Sequence, residues 1–225
     1  MTNKELRKNA KEKVLDNFIL TTFFMIMITV INIFFNYLTI KIELKAFPSV
    51  LLGSCLLQLS ISNIFYKIAK DGKATFKDII EPFKENILQK LYTILLMLIY
   101  IIGWSCLFII PGIIKLFSYS QVFFILVDEN QKVFGNEAIT RSRDIMNDKK
   151  FQLFKLQVPF LLYYVLICYI VITLVLYFTI KVPSGIIISY GIIGITFIYI
   201  TVYLIPYLMI ILSNFYLSLT RGNIE

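Results

Sequence analysis

Long runs of Ile, Leu, Phe, Tyr and Val, nearly free of charge, alternate with short basic segments along the 225 residues. Such runs can be hidden only in lipid or in a very large core, and a chain of this length is too short for the second. With 58% hydrophobic residues and a mean hydropathy of +0.79, the chain is too apolar for a soluble domain. The expected class is all-α: one polytopic membrane helix bundle over residues 1–225.

The runs divide into spans at about 18–40, 48–68, 91–110, 113–127, 157–180 and 186–207. Most have about the 20 residues a helix needs to cross the hydrocarbon. Leu91 to Val127 is decisive. As one helix it would run about 55 Å at 1.5 Å per residue, against a bilayer core of about 30 Å. Pro111-Gly112 (FIIPGIIK) divides it, so the pair is expected to form a tight turn at the outer surface, with Lys115 snorkelling from the short fourth span. Lys181 to Gly185 turns the chain between the last two spans, and Pro206-Tyr207 kinks a helix that continues to about Leu219.

Charge supports this count. With six spans, all of the 22 Lys and Arg except Lys41, Lys45, Lys115 and Lys181 fall on one side together with both termini. The positive-inside rule makes that side cytoplasmic. Reading Leu91 to Val127 as a single span would place the basic segment 132–155 outside. Met1 to Asn17 is polar and no small-x-small cleavage site follows the first run, so that run is expected to be retained.

Three segments on the basic side are expected to be helical. In Thr2 to Asp16, Thr2 and Glu5 fit a capping box, and Leu6, Ala10 and Val14 share a face. Near 75–88, Phe76, Ile79, Ile80, Phe83 and Ile87 oppose Lys77, Asp78, Glu81, Lys84 and Glu85, with Thr75 and Asp78 as the cap and Pro82 interrupting. Near 136–147, Ala138, Ile139, Ser142, Ile145 and Met146 oppose Arg141, Arg143 and Asp144. The last two amphipathic segments either lie on the inner membrane surface, held by anionic headgroups, or pack together as a small cap.

Chemistry is sparse. The chain has no His, and Cys55, Cys106 and Cys168 all fall in apolar runs without a CxxC, so no metal or other cofactor and no nucleophile–base pair is expected. Asp128, Glu129 and Glu137 lie close in sequence, either as solvated acids or as a weak cation site. Asn32, Asn36, Gln58, Asn63, Gln121, Gln157 and Asn214 bond between helices or line a polar path. The net charge of +8 sits beside the apolar runs, and no nucleic-acid partner is expected.

The stretch from Trp104 to Phe154 carries a pattern: Trp104, then Ile109 to Ile113, Lys115, Tyr119-Ser120, Asp128, Glu137-Ala138-Ile139, Ser142, Met146, Lys150 and Phe154. It resembles the bacterial integral membrane proteins grouped as domain of unknown function 975. Pro206-Tyr207 and Phe215-Tyr216 resemble that family's closing residues; Leu6, Ala10-Lys11-Glu12 and Leu15 resemble its opening. Two departures stand out: Asn147-Asp148 replaces a glycine after the methionine, and the proline after Asp128 is missing. A weaker similarity over Pro111 to Ser142 links the chain to the membrane domain attached to some glycerophosphodiester phosphodiesterases, and no activity follows from it. The resemblance implies a multi-pass protein of the bacterial plasma membrane.

The expected function is non-enzymatic: an accessory or protective, immunity-like component acting through contacts with another membrane protein, a membrane-active peptide or lipid. The alternative is a permease or channel subunit for a small neutral or lipid-like substrate, with an intramembrane enzyme third. A polar path along the amides would favour the permease, and a dry interior the accessory role.

Overall fold

The computed structural model describes residues 2–41, 46–128, 132–181 and 185–221. The expected turn at 181–185 and the link after Lys41 lie largely outside them, as do Glu129 and the side chains of Asn32 and Asn36. The fold is all-α, with no strand among the described residues. Four described helical stretches are long and apolar enough to cross a membrane: 87–107, 109–127, 150–180 and 186–220. Counting the bent pair 3–16 plus 18–31 makes five. The expected second span, 48–68, begins among residues 46–52, whose side chains lie outside the described residues.

Helix α1 (Asn3–Asp16) opens with the expected capping box: Thr2 Oγ1 accepts from the Glu5 amide and Glu5 accepts from the Thr2 amide. Its buried face is Leu6, Ala10 and Val14. The chain then bends by 82° into α2 (Phe18–Lys41). Helix α3 (Ala46–Asp71) packs on α2, and the short α4 (Lys77–Lys84) lies against α3.

The next segment corrects the turn expected at Pro111-Gly112. Helix α5 (Ile87–Leu107) ends at Phe108, whose extended backbone separates it from α6 (Ile109–Ser118). Pro111 and Gly112 therefore lie in the first turns of α6, not in the gap. The reason is that the first helical turn leaves its amides unbonded, so a proline there loses nothing and marks a helix start. Gly112 is buried where α6 folds back on α5; a Cβ there would stand 2.9 Å from the Ser105 Cα. Glycine lets the two backbones meet. The expected fourth span is also broken again, at Tyr119–Gln121, before the buried α7 (Val122–Val127).

Helix α8 (Gly135–Ile145) turns Ala138, Ile139 and Ser142 inward, against α5, α6 and α7. Its apolar stripe is thus used inside the protein, which corrects the idea that this stripe lies on lipid. Helix α9 (Lys150–Lys181) pairs with α10 (Gly185–Tyr199). A π-helical segment, Ile200–Leu204, then leads into α11 (Ile205–Arg221). The extra residue in that turn absorbs Pro206, which has no amide to continue the ladder. The core lies where α11 meets α1, α3 and α7 around Leu6, Leu59, Phe65, Ile125, Phe215 and Tyr216.

Candidate functional site

The polar groups concentrate at the basic end of the bundle, and two prolines explain much of their arrangement. Pro82 sits inside α4, so the Asp78 carbonyl one turn earlier has no helical donor. Asn63 of α3 donates to it instead, at 2.7 Å, and also to Glu81 at 3.1 Å. Pro159 sits inside α9 in the same way, and the carbonyls of Lys155 and Leu156 accept from Arg7 of α1 at 3.0 and 3.2 Å. In both cases a side chain from another helix replaces the missing backbone donor, so each proline becomes an interhelical joint.

Around the first joint, Lys67 pairs with Asp78 at 2.9 Å and with Glu81 at 2.5 Å. The Thr75 amide and hydroxyl both donate to Asp78, at 2.5 and 2.9 Å. Burial pushes the Asp78 carboxyl up, but the bonds from Lys67 and Thr75 outweigh it and hold the group below its usual range. The expected Thr75–Asp78 cap is present only in its returning half, since the helix N-cap is Phe76 and carries no side-chain cap bond, and the placement of Asp78 on the solvent face is corrected: the residue is 6% exposed. Phe76 and Ile80, on the expected apolar face, are exposed, and the Phe76 ring meets Phe23 and Phe24. Ile79 and Phe83 of the same stripe pack against the core, while Asp78 and Glu81 bond α3.

Beside this cluster lies a cavity of about 410 Å³, walled by Asn63, Glu81, Glu85 and Lys90 on one side and by Asp128 and Lys132 on the other. Lys90 is buried and donates to the Pro82 carbonyl at 2.9 Å. Asp128 accepts from Tyr216 at 2.9 Å in a fully buried bond across 88 residues of chain. Both acids and bases line the cavity. Among the described residues no group of three or more acids, Cys or His is placed to hold a metal. The arrangement can bind a small polar or zwitterionic group, and the bonds of Asn63 and Lys90 beside it join one helix to another.

The motif residues do not converge on one cleft. Trp104 and Tyr119 flank the Lys115 ammonium, at 4.6 and 5.8 Å from their ring centres. Ser142 donates to the Ser118 carbonyl at 2.9 Å, tying α8 to α6, and Ala138 is fully buried beside it. Glu137 is exposed in the first turn of α8. Pro206 is buried, and Tyr207 donates to the Arg7 carbonyl while its ring meets Phe160 at 5.2 Å. Asp148, where the resembling pattern has glycine, sits at φ +57°, the left-handed region in which glycine is unstrained.

These contacts join the segment 104–154 to the closing residues 206–216 as one packed unit. A family model covers the same ground, matching residues 107–223. The chain belongs to the family described as a protein of unknown function, DUF975. No curated protein and no solved structure matches the chain. The similarity to the membrane domain of glycerophosphodiester phosphodiesterases therefore finds no support. In this DUF975 member, Lys67, Asp78, Lys90 and Arg7 were missed as site residues by sequence reasoning. The signal was present in the two mid-helix prolines, each of which requires a donor from elsewhere.

Proposed function

We propose that this DUF975 protein is a non-enzymatic accessory or protective component of the bacterial plasma membrane, with both termini cytoplasmic. It works through helix contacts with another membrane protein, a membrane-active peptide or lipid. One observation carries the reading: none of the most apolar window of α9 is buried within the chain. Together with α10 it offers an apolar surface on several sides, suited to lateral contacts in the bilayer. The described amides favour this over a permease. Asn63 of α3 bonds α4 and Asn214 of α11 bonds Asn9 of α1, so their donors serve packing.

The test is photo-crosslinking in native membranes from exposed positions of α9, Leu166 and Tyr177. The expected result is a discrete protein or peptide adduct that disappears when neighbouring α9 residues become larger. Adducts with lipid only, together with solute flux by the purified protein in vesicles, would favour the permease and overturn the accessory role.

A further inference from the structure

Helix α5 and the stretch 109–127 are each long enough to cross by length alone, but the unbroken helix α6 has 10 residues, about half the depth of the bilayer core, and two contacts fix its level. At the base of α6, the Phe117 ring meets Phe154 of α9 at 5.8 Å. From Phe117 back to Phe108 is about 14 Å of helix, whereas α9 continues about 40 Å from Phe154 to Lys181, at 1.5 Å per residue. Even lying parallel to α9, the hairpin reaches only about a third as far. On the α5 side, the Gly135 amide donates to Thr93 Oγ1 at 2.6 Å, and α8 runs beside α5 with its charged residues exposed. The lower part of α5 is therefore flanked by water-seeking Arg141, Arg143 and Asp144, and cannot lie in hydrocarbon.

What remains beyond that level is an apolar tip. Leu107, Phe108, Ile109 and Ile110 are each more than 60% exposed. At its base, Lys115 lies between the Trp104 and Tyr119 rings, and Arg143 and Lys150 stand near enough for their charges to bear on it. Arg143 has an exposed partner, Asp144, at 3.6 Å. An apolar tip above cations and aromatic rings matches one surface in chemistry: acyl chains beneath a layer of phosphates.

We propose that the α5–α6 hairpin is half-inserted, with its tip ending inside the leaflet on the basic side and Lys115, Arg143 and Lys150 at its base holding phospholipid phosphates. This is independent of the accessory role. The charge rule could not reveal it, because a hairpin that crosses twice and one that does not cross at all return the chain to the same side.

Trp104 is the one tryptophan of the chain, so fluorescence can test the depth. The full chain is placed in phosphatylethanolamine–phosphatidylglycerol vesicles carrying brominated acyl chains, as wild type and as Trp104→Phe with Phe108→Trp. Half-insertion expects position 108 to be quenched by deeper bromines than Trp104, and to be shielded from iodide on both sides. Iodide quenching at 108 from the side opposite the termini would overturn it. For the phosphate site, native mass spectrometry compares retained phosphatidylglycerol in wild type and in Lys115→Gln with Arg143→Gln and Lys150→Gln. Retention should fall at least tenfold, yet persist in Lys115→Arg with Lys150→Arg and in Lys4→Gln with Lys8→Gln and Lys11→Gln. Equal retention in the neutralised variant, or displacement of the lipid by millimolar inorganic phosphate, would overturn the assignment.

Discussion

The core at the basic end and the α9–α10 hairpin use the same residues, Ile, Leu, Phe and Tyr, in opposite ways. In the core, Leu59, Ile64, Phe65, Phe215 and Tyr216 are fully buried by neighbouring helices. In the hairpin, Leu162, Ile172, Tyr177 and Ile195 are more than half exposed, on helices long and apolar enough to cross a membrane. The difference lies in the polar groups between them. The core holds Lys67, Asp78, Asn63 and Arg7, which fix where each helix sits. The hairpin holds hydroxyls such as Thr179 and Ser189, which bond each other across the pair at 3.0 Å. Apolarity alone therefore does not distinguish a helix that packs from one that faces the membrane; the buried polar joints do.

The sharpest way to break this comparison is to remove a charge from the core. Lys67→Met leaves Asp78 and Glu81 without their cation and should destabilise the protein by about 3 kcal/mol, the low end for a broken pair because Lys67 is 22% exposed. Ile172→Ala in α9 should cost under about 1 kcal/mol, since the site leaves no cavity in lipid. Reversible unfolding in mixed micelles measures both; equal losses would erase the distinction. The same pair sets a pH dependence. The Asp78 carboxyl is held below its usual range, so its contribution is fully present above about pH 4 and is lost as pH falls through the depressed folded value. That acid limb should be absent in Asp78→Asn.

The proline joints give the next effect. Asn63→Leu strands the Asp78 carbonyl and should cost about 2 kcal/mol. In a Pro82→Ala background the restored amide can bond that carbonyl, and the same change should cost about half as much. An undiminished cost would show that Asn63 acts through Glu81 alone. A smaller contrast uses glycine. Gly112→Leu must push α6 off α5 and should cost about 2 kcal/mol, while Gly191→Ala in α10 meets open space and should be neutral or stabilising by up to about 1 kcal/mol.

Helix positions were legible in the sequence wherever the apolar runs were long and a cap was local. The Thr2–Glu5 box, the buried stripe of α1 and the residues that share the apolar face of α8 follow from spacing, but not that the α8 face packs inside the protein. The path of Leu91 to Val127 was not, because a proline marks either a gap or the first turn of a helix, and only the Gly112–Ser105 contact decides. The orientation of α4 was hidden for a related reason. Its pattern places Asp78 opposite the apolar face, but bonds from Asn63 and Lys67, distant in sequence, draw Asp78 into the protein. Nothing local to residues 75–88 encodes those partners.

The smallest effect concerns the loop between α8 and α9. The chain leaves α8 through Met146, whose amide bonds the Ser142 carbonyl, and Asn147 bonds back to Asp144. To start α9 at Lys150, the backbone must reverse within three residues, and Asp148 does so at φ +57°. A left-handed conformation costs an L-residue about 1 kcal/mol or more, less for Asp and Asn than for others, and nothing for glycine. Asp148→Gly should therefore relieve local strain, offset in part by the greater freedom of glycine in the unfolded chain. The expected net gain is about 0.5 kcal/mol in thermal unfolding. Asp148→Val, which resists that conformation, should lose about 1–2 kcal/mol. A loss on both changes would mean that the Asp148 carboxylate, near the cationic base of the hairpin, contributes more than its backbone costs.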